Sequence, residues 1–348
     1  PLLPYEACNL GSINLARFVR EQSPRSEIQG SPPTTTGDAS PSHNTPSPAA
    51  TNDTPWTDRI DWPRLADAVS VATRFLDDVI DVARRPSPEI DRMVLGNRKV
   101  GLGVMGFAEL LLRLGIPYAS DAACDVAERM MAFLAARAWE TSSELAEQRG
   151  VFPNWSRSVF AKRGQRVRNA TCTSIAPTGT IGIIAGTSSG IEPLFALAYR
   201  RTGVLGGQTL VELNPFFERA MQQRGEAGRR AIEWALEHGT LDGCPDIPPA
   251  VRELFRTALE IPPEHHLRIQ AAFQKHCDNA VSKTINMPHQ STPQEIAAVY
   301  RRAWELGAKG VTVFRYGSKG EQVLQLGADE TAVQREHFSH CDPHACKL

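Results

Sequence analysis

The sequence predicts an α/β fold. Three observations carry that prediction. Apolar residues recur at helical spacing in several long segments. Short β-branched runs of strand length lie among them. One helical segment, Pro293–Leu306, stands directly between two such runs, Val281–Met287 and Gly310–Phe314. A helix joining two strands is a crossover, and a crossover makes the strands parallel. A closed barrel or a large sheet fits this alternation better than a sandwich does.

The elements follow in order. Asp61 with Pro63 reads as a helix start, and Leu65, Val69, Ala72, Phe75, Leu76, Val79 and Ile80 keep helical spacing behind it. Further helices are predicted at Phe107–Leu114 and from Asp121 to Gln148, the latter stopped by Gly150. Ala170–Ile175 reads as a short strand ended by Pro177-Thr178-Gly179. Helices follow at Pro215–Gln223, Ala227–His238 and Glu264–Asn279, and no tandem repeat is visible.

One segment stands apart. Residues 22–56 hold six prolines between Ser31 and Pro55, many Ser and Thr, and only Ala as apolar residues there. Such a segment buries too little surface to offset its ordering entropy, so it is expected to be a disordered insertion. The boundaries expected are 1–21 for the start of the folded part, 22–56 for the insertion, 57–325 for the catalytic α/β region and 326–348 for a flexible tail.

Composition narrows the function. In 348 residues, Lys+Arg is 38 and Asp+Glu is 39, a net charge of −1. That gives no electrostatic footprint for a nucleic-acid polymer. No apolar run approaches the ~18–20 residues of a membrane helix, and 41% hydrophobic content excludes wholesale disorder. By length the expectation is about two domains or one large one. The chain opens on Pro1 with no basic and apolar leader, so a fragment rather than a signal peptide is expected. Seven cysteines without regular spacing point to a reducing, cytoplasmic setting.

Four motifs carry candidate chemistry. Gly101-Leu-Gly103-Val-Met-Gly106 has the G-x-G-x-x-G form, but a dinucleotide fold needs flanking strands, so close helix packing is the expectation. In Ala176-Pro177-Thr178-Gly179-Thr180-Ile181, glycine lets backbone N–H groups approach an anion and the Thr178 and Thr180 hydroxyls add donors, which suits a phosphate. The loop lacks the lysine of a nucleotide-hydrolase P-loop. Near the end, Cys341 and Cys346 can form a small redox loop. With His337, His340 and His344 beside them, zinc binding is the rival reading and an inert tail the bland one. Cys124, Cys172, Cys244 and Cys277 read as small buried hydrophobes. His265 and His266 are adjacent and cannot share a helix face, which argues against a metal site with His276 and Cys277.

The motifs together resemble the ribonucleotide reductases. The resemblance rests on Pro1-Leu-Leu-Pro-Tyr-Glu-Ala-Cys8-Asn-Leu-Gly-Ser-Ile-Asn14, Asn97–Phe107, Ala176–Ile181, Ser188-Ser-Gly-Ile-Glu-Pro193, Gln270–Gln274, Asp278–Asn286 and Gly310–Gly317. It covers nearly the whole chain outside 22–56. Di-iron-dependent relatives carry an adjacent Tyr-Tyr pair. Here Tyr5, Tyr118, Tyr199, Tyr300 and Tyr316 are never neighbours, and the wording of the last two motifs resembles the adenosylcobalamin-dependent class.

The resemblance implies part of a ten-stranded α/β barrel and the reduction of ribonucleoside diphosphates. It implies Cys8 as one member of the electron-donating pair, the 176–181 loop as the holder of the substrate phosphates, and Cys341 and Cys346 as a shuttle reduced by thioredoxin or glutaredoxin. The cofactor implied is adenosylcobalamin, with no cofactor-binding residue assignable and no resident metal site on the protein. The family's Asn-x-Cys-x-Glu radical loop does not occur in these residues, so the missing N-terminal part of the same enzyme is an expected partner, and a homodimer is compatible. The isolated chain is expected to be inactive. A di-iron-dependent large-subunit fragment, a zinc-binding module and a non-catalytic nucleotide-binding remnant remain open at this point.

Overall fold

A computed structural model describes residues 2–20, 55–204, 208–318 and 325–326. All of the 22–56 segment except Pro55 and Trp56, and nearly all of the tail, lie outside the described residues. The elements in order are β1 (Asn9–Asn14), α1 (Trp62–Val82), α2 (Pro88–Asn97), β2 (Val100–Met105), α3 (Phe107–Leu114), α4 (Asp121–Arg149), α5 (Val159–Lys162) and α6 (Gly179–Ala185). Then come β3 (Ala198–Val204), β4 (Gln208–Leu213), α7 (Pro215–Gln222), α8 (Gly225–His238), α9 (Pro249–Leu254), α10 (Pro263–Gln274), β5 (Thr284–Met287), α11 (Pro293–Glu305), β6 (Thr312–Arg315) and β7 (Gln325–Leu326).

Five extended segments lie side by side and parallel. β1 pairs with β2 from Asn9↔Val100 to Asn14↔Met105. The stretch 171–175 continues the row through a parallel bridge at Leu102↔Thr173, with Leu102 N–H donating to Cys172 O at 2.8 Å. Ile175 bridges Val281, and β5 pairs with β6 from Thr284↔Thr312 to Met287↔Arg315. The α/β class holds, with helical crossovers between parallel neighbours. Regular sheet is scarce, however, and among the described residues no ring of ten strands is seen.

The helices begin where capping chemistry permits. Asp61 caps α1, its Oδ1 accepting Arg64 N–H at 3.3 Å, and Thr292 with Glu295 forms a full capping box on α11. α1 buries Leu65, Val69, Leu76 and Ile80, which share one core with Val100, Leu102 and Val104 of β2 and Met130 and Leu134 of α4. Phe107 and Phe273 meet edge to face there, 5.1 Å between centroids. A smaller core lies under α7–α9 around Phe217, Met221 and Phe255, and a third joins β5 to α11.

Three sequence expectations change. The glycines of 101–106 do not pack helices, because Gly101 and Gly103 sit inside strand β2. A Cβ on Gly103 would lie 2.1 Å from the Ser174 carbonyl oxygen, so the row of segments closes only with glycine there. α2, β1 and the antiparallel β3–β4 pair were not predicted. The predicted strands at 170–175 and 281–283 are reduced to isolated bridges, and the helix predicted to reach Asn279 ends at Gln274.

A buried ionic knot fixes the turn before β2. Arg98 has a left-handed backbone (φ 47) and sends its guanidinium inward, Nε to Asp77 Oδ1 at 2.9 Å and Nη1 to Asp81 Oδ1 at 2.7 Å. Asn169 Nδ2 donates to the same Asp77 oxygen at 3.0 Å and to Arg98 O at 3.0 Å. Asp77 has no solvent exposure, yet its carboxylate is fully partnered.

Candidate active site

Cys8 precedes β1 by one residue and is partly buried. Its sulfur lies over Gly101, where a Cβ would come within 3.2 Å of it. Asn279 Nδ2 lies 4.0 Å from Cys8 Sγ and 3.2 Å from Thr171 Oγ1, so one amide links the cysteine to the strand-like stretch 171–175. The neighbouring Asp278 is locked in place, its Oδ2 accepting from Cys172 N at 2.8 Å and Thr173 N at 3.0 Å.

Two residues before Cys8, the Glu6 side chain is shielded from solvent although the residue is only partly buried. Its carboxylate accepts from Lys99 Nζ at 2.7 Å, Asn97 Nδ2 at 2.6 Å and Leu3 N at 2.8 Å. Burial alone would raise the Glu6 pKa. The Lys99, Leu3 and Asn97 hydrogen bonds outweigh it and leave the carboxyl below its ordinary 4.5. Burial pushes the Cys8 thiol up to about 12, the Lys99 charge opposing this and Glu6 and Asp278 adding to it. Cys8 is therefore a protonated thiol at neutral pH, a form that carries both an electron and a hydrogen.

The stretch 171–175 runs directly into the 176–181 loop. Thr178 takes a left-handed backbone (φ 52) and caps α6, while Gly179, Thr180 and Ile181 are exposed. The first-turn N–H groups of α6 have no intrahelical acceptor, which leaves them free to face an anion. The Thr178 hydroxyl oxygen accepts Gly190 N–H at 2.6 Å and so serves the loop's own closure, while Thr180 is the hydroxyl at the surface.

Two acids, Glu109 buried and Glu192 partly exposed, brace the return of this loop. Glu109 of α3 accepts from Ser188 N at 2.7 Å, from the Ser188 hydroxyl and from Thr187 Oγ1 at 3.2 Å. Glu192 accepts from Thr284 N at 2.7 Å and from Lys283 Nζ at 2.5 Å. Lys283 is fully buried and also donates to His266 Nδ1 at 2.9 Å, while His266 Nε2 meets Ala258 O at 3.0 Å. The carbonyl requires the proton on Nε2 and the ammonium requires the lone pair on Nδ1, so His266 is neutral.

The structure thus joins Cys8 to the segment that leads into the loop, two features read separately in sequence. Cys341 and Cys346 lie outside the described residues. Cys124, Cys172, Cys244 and Cys277 stand free, Cys124 half-buried and the others buried. Among the described residues no group of three or more His, Cys, Asp or Glu is placed to hold a metal ion. No helix among them is long and apolar enough to cross a membrane. Sequence reasoning assigned no role to Glu6, Lys99, Glu109 or Asn279. Each is a single polar letter far from its partner; Glu6, Lys99 and Asn279 lie within motifs quoted for the resemblance and Glu109 lies in none.

The sequence matches the family described as ribonucleotide reductase, barrel domain, over residues 1–167 and 161–314. The chain belongs to that family. It is 44% identical over 351 aligned residues to the vitamin B12-dependent ribonucleoside-diphosphate reductase of Mycobacterium tuberculosis, covering 100% of this chain and 44% of that protein. It is also 44% identical over 336 residues to the protein of the same name from Thermoplasma acidophilum, covering 97% and 39%. The chain spans less than half the length of these curated relatives. In fold it is similar to the Actinobacillus ureae class Id ribonucleotide reductase alpha subunit, with TM-score 0.62 and 24% identity over 74% of this chain and 47% of that one.

Proposed function

We propose that this chain is the C-terminal catalytic part of a ribonucleoside-diphosphate reductase, within a ten-stranded α/β barrel completed by the N-terminal part of the enzyme. The observation that carries the reading is the Asn279 amide between Cys8 Sγ and Thr171, which ties a protonated thiol to the strand leading into the loop. The substrate is a ribonucleoside diphosphate held by Ala176, Pro177, Thr178, Gly179, Thr180 and Ile181.

A cysteine radical removes the 3′ hydrogen atom, and the 2′ hydroxyl leaves as water. Two thiols, Cys8 and a cysteine supplied from outside these residues, give up two protons and two electrons and become a disulfide; one proton leaves with the 2′ hydroxyl as water and the other, with the electron pair, becomes the new hydrogen at C2′. The hydrogen then returns to C3′. Cys341 and Cys346 re-reduce the pair and are themselves reduced by thioredoxin or glutaredoxin. The setting is a reducing cytoplasm, which the five free described cysteines support, and a homodimer is the assembly proposed.

Adenosylcobalamin is the cofactor we propose, in line with the vitamin B12 dependence in the relatives' names. Bound, it would supply the initial radical by cobalt–carbon homolysis. The polar groups around Cys8 are already taken up by one another, Glu6 by Lys99 and Asn97, and Asp278 by Cys172 and Thr173. These residues therefore do not form a corrin site.

The test is deoxynucleotide formation by the full-length enzyme. Cys8→Ser should abolish multiple turnover with either thioredoxin or dithiothreitol as reductant. Cys341→Ser should abolish only the thioredoxin-supported reaction. Sustained turnover by Cys8→Ser would remove the assignment.

A further inference from the structure

We propose that the cleft between the end of β1, the start of α1 and the C-terminal end of α3 binds a phosphate-bearing small anion, with a diphosphate group as the unit recognised. The cleft encloses about 600 Å³, and its walls carry Arg17, Arg20, Arg64 and Arg113 with a single acid, Asp61. Four cations against one carboxylate give a local surplus of three positive charges, on a chain whose total is −1. The carboxylate is also engaged, because Asp61 caps α1. Among the described residues none of the four guanidinium groups forms an ion pair, unlike those of Arg98, Arg149 and Arg302.

The arginines are braced. Arg64 Nη1 donates to Arg17 O at 3.1 Å, and its guanidinium lies over the Phe18 ring, 5.2 Å from the centroid. Arg59 grips the end of α3, donating to Arg113 O at 2.5 Å and Leu114 O at 3.0 Å. Arg113 itself lies over the Phe216 ring at 5.4 Å, and its Nε is buried with no hydrogen-bond partner. A buried donor without an acceptor is destabilising, and because Arg113 lines the cleft an oxyanion seated there can approach its guanidinium.

The chemistry selects phosphate. A guanidinium fork matches two oxygens of one phosphate group, and several forks around a concave wall favour a multiply charged ligand over a single carboxylate. Low-dielectric walls focus the positive field into the cleft. The apolar lining, Ala16, Phe18 and Val19, is buried, and the face of Phe18 is already covered by Arg64, so no aromatic face is left to stack a base. None of these residues belongs to the 176–181 loop.

The experiment is calorimetric titration of inorganic pyrophosphate into the full chain. We expect saturable binding that weakens as ionic strength rises. Arg64→Gln and Arg113→Gln should each weaken it about tenfold, the equivalent of one charge-assisted hydrogen bond. The double variant Arg17→Gln/Arg20→Gln changes two exposed side chains and provides a form that keeps its melting temperature. Thr178→Val, in the other loop, should leave this binding intact. In a parallel titration with a nucleoside diphosphate, the component lost in Arg64→Gln and Arg113→Gln identifies the source of the anion: tighter than pyrophosphate it marks a nucleotide, equal to it free diphosphate, and either keeps the site. Absence of saturation, or unchanged affinity in Arg17→Gln/Arg20→Gln and Arg64→Gln alike, overturns it.

Discussion

Lys283 and His266 meet in the interior, Nζ to Nδ1 at 2.9 Å, with the Lys283 charge answered by Glu192 on its other side. Burial first, and the Lys283 charge second, hold His266 well below its ordinary 6.5. In the unfolded chain the imidazole takes up a proton below about pH 6.5, while in the fold it does not. The unfolded state then binds more protons, so stability falls as pH drops below that point, by about 1.4 kcal/mol per pH unit for this one group. Denaturant midpoints measured from pH 7 to pH 5 should show this slope, and His266→Gln should flatten it. An unchanged slope in the variant would count against the arrangement.

The Cys8 thiol offers a second readout. With its pKa near 12 against an ordinary 9.0, thiolate at pH 8 should be roughly a thousandfold scarcer than in a free cysteine. Peptide-resolved alkylation with iodoacetamide should be slow at Cys8 and should climb steadily from pH 7 to pH 10. Lys99→Met removes the one nearby cation that favours the thiolate and should slow the reaction further. A plateau below pH 9 would contradict the buried environment.

Thr178 is expected to matter for the loop rather than for bulk packing. In Thr178→Val the Gly190 N–H loses its acceptor, a loss of about 1–3 kcal/mol for a buried donor. Thermal unfolding should register that loss. Equilibrium dialysis with a nucleoside diphosphate on the full-length enzyme should show weaker binding, while Thr180→Ser, which keeps the exposed hydroxyl, should bind as the parent does.

Asp77 carries the largest single penalty expected. Replacing it with Asn removes the charge that faces Arg98, Arg149 and Arg168. Breaking a buried pair by removing one partner costs about 3–5 kcal/mol, a large share of the ~5–15 kcal/mol that holds an ordinary domain folded. Circular dichroism of Asp77→Asn at 25 °C is the check. Asp58→Asn, whose side chain meets only the neighbouring Thr57, should melt as the parent does.

Much of the helical framework is legible in the sequence. Asp61, Ser120 and Thr292 each stand where a helix begins, and Gly150 stands where the longest one ends. The parallel β5–β6 pair follows from the α11 crossover. β1 and β2 escape detection because their strand signal is diluted by Gly11, Gly101 and Gly103. Glycine weakens a strand in any propensity argument, yet the Ser174 backbone leaves no room for another residue at 103. The site was legible only in its parts. Cys8 and the 176–181 loop stand out by composition and motif, but the amide joining Cys8 to Thr171 comes from residue 279, and no local pattern announces a contact across 271 positions.

The parallel row also governs how the chain assembles. β1 and β2 are neighbours in space but are separated by residues 15–99. The antiparallel alternative of a short hairpin is closed to them, so their pairing requires the crossover through α1 and α2. Closure entropy grows only with the logarithm of connection length, about 0.6 kcal/mol for each doubling. Residues 21–54 lie within that connection, and their presence lengthens it by less than a doubling. Thirty-odd extra residues there tax the pairing of β1 with β2 by about half a kcal/mol, a burden smaller than the loss of one helix cap.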